Sequence, residues 1–239
     1  MTLIISLLVL AAAPAASPLQ GLDKPKKEQR ATLGESEHTK GRVTIHCVDV
    51  GASMLVEIND PGLMGARDVW LKKKTGDVLP PCDANDAGAT HVGGAEGYGS
   101  VAGTKGDFLF VTSADSFTDR RGLRVFSLTT GEQRYEAEFN EGQPITLTAD
   151  GKSLLLRFHL AISSTCEPRG DEAAACWKQL RESANVPDGV DIKPPPCDAV
   201  FKGKTGMGTA LISLPAEVDL TAPKKVKYRQ GAATCAESV

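Results

Sequence analysis

The chain has 239 residues, enough for one domain or slightly more, of which 41% are hydrophobic, and it carries a formal net charge of −3. That balance excludes a general electrostatic attraction to nucleic acid. The cysteine and histidine spacing argues against zinc: there is no C-x-x-C and no H-E-x-x-H, and the shortest cysteine gap, Cys166 to Cys176, is ten residues.

The first predicted element is a leader. Leu3 to Ala13 form an apolar run, and Ala13-Pro14-Ala15 supplies the small-x-small pattern that a signal peptidase requires, although no Lys or Arg precedes the run. A membrane anchor needs about 20 apolar residues, so the run is too short to span a bilayer. No cysteine follows it to take a lipid. A cleaved signal over residues 1–16 is expected, which makes the protein secreted or periplasmic with no transmembrane anchor in the mature chain. Residues 17–42 hold Pro18, Pro25 and many charges with few large apolar groups, and are expected to form a flexible tether.

From Val43 the pattern changes. Short β-branched, aliphatic and aromatic runs alternate with Gly-, Asp- and Pro-rich turns: Met54-Leu55-Val56, Phe108 to Thr112, Leu123 to Leu128, Leu154 to Phe158 and Ala210 to Leu214. Their lengths and punctuation predict strands. A shift of 55 residues superposes Gly51 on Gly106, Met54-Leu55-Val56 on Leu109-Phe110-Val111, and Thr75-Gly76-Asp77 on Thr130-Gly131-Glu132. A third unit starts at Asp150-Gly151-Lys152 and resumes at Ala210 to Leu214 after an insertion. These units resemble β-propeller blades, on the residues Thr75-Gly76-Asp77-Val78, Thr129-Thr130-Gly131-Glu132 and Ala149-Asp150-Gly151-Lys152. The resemblance covers about residues 48–226 and implies blade-like antiparallel sheets. Three units are fewer than the four to eight with which propellers usually close, so a partial propeller and a sandwich or meander of similar hairpins stay open.

The insertion, at about residues 163–196, carries the one convincing helix. Ala173, Cys176, Trp177, Leu180 and Ala184 share a helical face, with Asp171 placed to cap its start and Asn185 and Pro187 to end it. Pro194-Pro195-Pro196 then imposes an extended piece. A long insertion of this kind, carrying Trp177, is where a partner surface is expected, although a tryptophan there also serves simply to cover the end of a sheet. The basic run Lys224 to Arg229 fits a solvated strand edge.

Six cysteines, an even number, predict three disulfides in an exported protein. Fifteen pairings are possible. A local Cys166–Cys176 bridge is expected, with Cys47–Cys82 and Cys197–Cys235 closing longer loops.

No catalytic constellation stands out. Gly97-Tyr98-Gly99-Ser100-Val101-Ala102 matches G-x-G-x-x-A but precedes a strand, so no helix N-terminus would meet a phosphate. Asp83-Ala84-Asn85-Asp86-Ala87-Gly88 imitates the start of a calcium loop, but Ala87 and Gly94 occupy positions that should supply ligands. The histidines, His38, His46, His91 and His159, are scattered, with His46 and His159 in strand-like runs. Neither Ser53 nor Ser100 sits in a nucleophile elbow. The chain is therefore read as mainly β, in about three blade-like antiparallel repeats with one helical, disulfide-stapled insertion. Its expected function is a non-catalytic binding or envelope-associated module with a protein or cell-envelope partner, and no cofactor or metal. The alternatives are a secreted hydrolase with dispersed site residues (His91, Asp86 and Asp115) and an inhibitor-like protein that uses the 163–196 loop.

Overall fold

The computed structural model describes residues 19–63, 65–93, 99–114, 120–140, 142–164, 166–202, 209–222 and 225–238. The expected signal lies outside these residues. What they form is mainly β.

The expected tether needs correction, because Leu19–Gln20 (β1) and Glu28–Glu35 (β2) are strands. Every residue of β2 is exposed, yet its backbone pairs along its length with Arg42–Asp49 (β3), from Glu28 opposite Val48 to Glu35 opposite Arg42. An edge strand needs a neighbour for its amides and carbonyls but no buried face, so a polar composition does not reveal it. Antiparallel ladders lead on to Ser53–Asn59 (β4), Ala66–Lys73 (β5) and the short Thr90–His91 (β6), giving a five-stranded sheet in chain order.

Both faces of this sheet are covered at its centre. Val43, Ile45, Met54, Val56, Ile58 and Trp70 form one buried face, and Leu55, Val69 and Leu71 the other. Burial on both sides explains why Met54-Leu55-Val56 reads as a continuous apolar run instead of an alternation. The first face is roofed by the connection before β6, whose Leu79, Cys82 and Ala89 pack on it.

The second sheet holds Ser100–Lys105 (β7), Phe108–Ala114 (β8), Arg120–Ser127 (β9), Gln133–Asn140 (β10), Ile145–Asp150 (β11) and Ser153–Ser163 (β12). The insertion follows, with a 3₁₀ turn at Gly170–Glu172, then Ala173–Ser183 (α1), Ile192–Lys193 (β13) and Cys197–Val200 (α2). The chain re-enters the sheet as Thr209–Asp219 (β14), then forms Lys227–Tyr228 (β15), Gly231–Ala232 (β16) and Thr234–Ser238 (β17). The strand order is β1-β11-β12-β10-β9-β8-β7, with β14 beside β12 and carrying β15 and β17, while β13 and β16 pair separately. Pro215 sits where β14 changes partner, from β17 (residues 209–213) to β15 (residues 216–217), the place where a missing amide proton breaks no ladder bond.

The segment after β1 brings the two ends of this sheet together. Asp23 N donates to the Thr104 carbonyl at 2.8 Å, and the Asp23 carboxylate accepts from Gly106 N (2.8 Å) and Lys105 Nζ (2.7 Å). A side chain at Gly103, which has a φ of +143°, would meet Leu22 at 2.9 Å, so the close approach needs glycine there. The result is a nearly closed, barrel-like sheet around Phe110, Leu123, Phe139, Ile145, Leu156 and Val218. The outer face of β8 and β9, with Leu109, Val111 and Phe126, packs on the five-stranded sheet.

The repeated hairpins fall in two places, with β4–β5 in the five-stranded sheet and β8–β9 and β12–β14 in the barrel-like one. The turns that lead into β4, β8 and β12 share their chemistry: Gly51, Gly106 and Gly151 all have positive φ.

Candidate functional site

Three disulfides are present, Cys47–Cys82, Cys166–Cys176 and Cys197–Cys235, and no described cysteine is free. The first ties the roof before β6 to β3. The other two fasten the insertion, one joining its entry to α1 and one joining α2 to β17. The insertion is longer than expected, running from the end of β12 at Ser163 to the start of β14 at Thr209.

Within it, α1 buries Cys176 and Leu180 and leaves Trp177 half-buried. Asp171 does not act as the N-cap: it lies in the preceding 3₁₀ turn, and the cap position falls to Glu172. The C-terminus is closed as Asn185 and Pro187 suggested. Asn185 takes φ 54°, its N–H donates to the Glu182 carbonyl (3.0 Å), and Val186 N donates to that of Arg181 (2.9 Å). This is a Schellman motif, with Val186 buried beyond it. Tyr228 Oη adds a hydrogen bond to the Ala184 carbonyl at 2.8 Å.

Trp177 borders a hollow of about 380 Å³, walled by Ala173 and Ala174 of α1, by Pro168, and by Pro194 and Pro195 opposite, with Leu180 and Asp198 completing it. That volume lies in the roughly 300–1,000 Å³ range of ligand sites. The lining is held from several directions. Arg181 donates to the carbonyls of Val190 (3.1 Å) and Pro187 (3.3 Å) while standing 5.9 Å from the centre of the Trp177 ring. Asp198 accepts from Gly170 N at 2.9 Å. Arg169 is engaged by Glu167 and lies 4.5 Å from the centre of the Phe201 ring. Among the described residues the half-buried Trp177 indole N–H makes no hydrogen bond, and the buried Trp70 Nε1 of the five-stranded sheet also lacks a partner.

A second site is a cleft of about 490 Å³ between the five-stranded sheet and β7, lined by Arg30, Thr44, His46, Glu57, Asn59 and Ser100. A smaller hollow of about 250 Å³ shares Arg30, His46 and Val101 with it and reaches Leu22 and Gly103. His46 stands between two carboxylates. Its Nε2 is 3.0 Å from Glu28 of β2 and its Nδ1 is 3.7 Å from Glu57 of β4, and Glu57, only 6% exposed, also accepts from Val101 N at 3.1 Å. Glu57 foremost, and Glu28 after it, hold the His46 pKa above its ordinary value, while burial and Arg30 pull it down. With a carboxylate facing each ring nitrogen, the imidazolium is the stabilised form and neither nitrogen is open to accept a proton from a nucleophile. The cleft is therefore built as a cross-strand tie. No local motif announces it, since its members lie on three strands; the strand register is what brings His46 opposite Arg30 and Glu57.

The other sequence candidates are placed as follows. His91 Nε2 lies 3.1 Å from Asp86, with both side chains exposed, and the His91 ring sits 5.6 Å from that of Trp70. The third hydrolase nominee, Asp115, and the centre of the Gly-rich stretch, residues 94–98, lie outside the described residues. In the imitation calcium loop, the Asp83 carboxylate accepts from Lys72 Nζ at 2.6 Å, and that ammonium also donates to the carbonyls of Pro81 and Asp83. A side-chain ammonium thus holds the oxygens a calcium ion would need, and Lys72 is the main cause of the lowered Asp83 pKa. Among the described residues no three side chains gather to hold a metal. His159 is half-buried in β12, and burial pushes its pKa down.

Comparison with known proteins gives no relative: no protein family, no curated protein and no solved structure matches the chain.

Proposed function

We propose that this chain is an exported, non-catalytic binding module that holds a protein partner in the insertion groove around Trp177. Three disulfides fit an oxidising compartment, and no helix among the described residues is long and apolar enough to cross a membrane. The observation that carries the reading is a half-buried tryptophan beside an open apolar hollow, on an insertion fastened by two disulfides. Apolar surface left in water forgoes about 25 cal/mol per Å², so folding alone favours closing such a hollow. Here Cys166–Cys176 and Cys197–Cys235 fasten the insertion that forms its walls, and Arg181 hydrogen-bonds the carbonyls of Pro187 and Val190 beside it.

The test is selection from a library of displayed random peptides against the purified, oxidised chain, with counter-selection on Trp177→Ala. Peptides that bind the wild type and lose about tenfold or more in affinity on Trp177→Ala support the reading; the loss expected from deleting a tryptophan anchor is of that order or larger. Ligands that bind both proteins equally, or none after exhaustive selection, overturn it.

A further inference from the structure

The groove has a composition that narrows its ligand. Its walls are proline, alanine and leucine side chains around one aromatic ring and one carboxylate, and three of the lining residues, Pro168, Pro194 and Pro195, have no backbone N–H to offer an added strand. The half-buried Trp177 N–H makes no hydrogen bond among the described residues, and a ligand that covers it must supply an acceptor. A helix spends its carbonyls on its own amides, whereas a polyproline II segment makes no internal hydrogen bonds and presents every carbonyl outward. Such a segment is also largely ordered before it binds, which limits the entropy lost on docking.

Acidic residues stand at and beside the groove. Asp198 lines it, and Asp171 and Glu172 directly precede the lining residue Ala173. All three are exposed; Asp171 and Glu172 have no ion-pair partner among the described residues, and Asp198 accepts from Gly170 N while it shares the charge of Arg169 with Glu167. A cationic residue at the matching end of a ligand meets complementary charge there.

We infer that the groove takes an extended, proline-bearing segment of a partner protein that carries an Arg or Lys at one end; this rests on the reading of the insertion as the binding surface. The apolar part sits against Trp177, Pro194 and Pro195, one of its carbonyls accepts from the Trp177 N–H, and the basic residue lies toward Asp198.

The molecule supplies its own control. It has two tryptophans, and Trp70 is buried in the five-stranded sheet far from the insertion in the fold, so the indole N–H region of a ¹⁵N-correlation spectrum holds one reporter at the groove and one away from it. The experiment titrates the intact, oxidised protein with the blocked peptide APLPPR, with a variant ending in Gln, and with a third in which Gly replaces every Pro. Trp177→Phe assigns the signals. Saturable movement of the Trp177 signal with the Trp70 signal stationary is expected, with binding weaker by about three- to tenfold for the Gln peptide and lost for the Gly peptide, in line with the loss of one charge contact and of preorganisation. Asp198→Asn should erase the difference between the Arg and Gln peptides. Ala174→Arg, at an exposed position on the wall, should block all binding while leaving the Trp70 signal in place, which shows that the variant is folded. A stationary Trp177 signal, or equal movement with the Gly peptide, overturns the inference. If displayed peptides that need Trp177 are then still found, the insertion remains the binding surface and only the ligand class is wrong; if none is found, both fall.

Discussion

The cleft at His46 and the groove at Trp177 are both hollows of a few hundred Å³, and they differ in what they leave unsatisfied. In the cleft the imidazole stands between Glu28 and Glu57, the buried carboxylate of Glu57 has a backbone donor, and Arg30 lies 3.9 Å from Glu28. In the groove an indole N–H, a run of apolar wall and the carboxylates of Asp171 and Glu172 have no protein partner among the described residues, while Asp198 accepts only from Gly170 N. Polar groups that answer one another stabilise a fold, whereas groups left unanswered at a site held open by covalent ties are the mark of a surface that awaits another molecule. The size of a hollow and the number of charges in it would have pointed to the cleft; the open apolar wall and the carboxylates beside it point to the groove.

Variants can break or sharpen this contrast. The largest effect is expected from Cys197→Ser with Cys235→Ser, which should lower stability by about 2–4 kcal/mol in chemical denaturation and remove groove binding, yet leave the His46 pKa unchanged by NMR. A moved His46 titration would show that the two regions are coupled. Next, Glu57→Ala leaves Val101 N without its acceptor and the Nδ1 side of His46 without its carboxylate. It should cost about 1–3 kcal/mol in thermal unfolding and lower the His46 pKa without weakening a groove ligand. Trp177→Ala should show the opposite pattern, with a stability loss near 1 kcal/mol, as for a half-buried side chain, together with loss of ligand binding.

The smallest effect is the pH dependence, and here two histidines act in opposite directions. The folded pKa of His46 is raised, so its stabilisation is fully present below the unfolded value near 6.5 and is lost as pH rises through the folded pKa. For His159, lowered by burial, stability is present above the unfolded value and is lost as pH falls through the folded pKa. Denaturation midpoints measured from pH 5 to 8 should therefore flatten on the alkaline side in His46→Gln and on the acid side in His159→Gln.

How much of this is legible in the sequence follows from burial. Strands such as β4 and β8 stand out because each is covered on both faces, which forces unbroken apolar runs. The edge strand β2 shows nothing, since all its residues are exposed and no buried face imposes an apolar pattern on it. The helix is visible because Cys176 and Leu180 repeat at helical spacing, and its end because Asn185 suits a left-handed cap. Half of the groove could be read, namely Trp177 on the helix and the extended Pro194–Pro195, but their facing across a hollow depends on disulfides between residues 10 and 38 positions apart. The His46 tie was hidden for the same reason: Glu28, His46 and Glu57 come together only through the register of three strands.

The most direct test of the contrast is the footprint of a bound peptide, taken from the displayed library and mapped by hydrogen–deuterium exchange on the intact oxidised protein. Protection confined to residues 166–201, with residues 28–32, 44–59 and 100–104 unchanged, is the expected result. Protection centred on those cleft segments, with the insertion unchanged, would contradict it and make the His46 cleft the binding site.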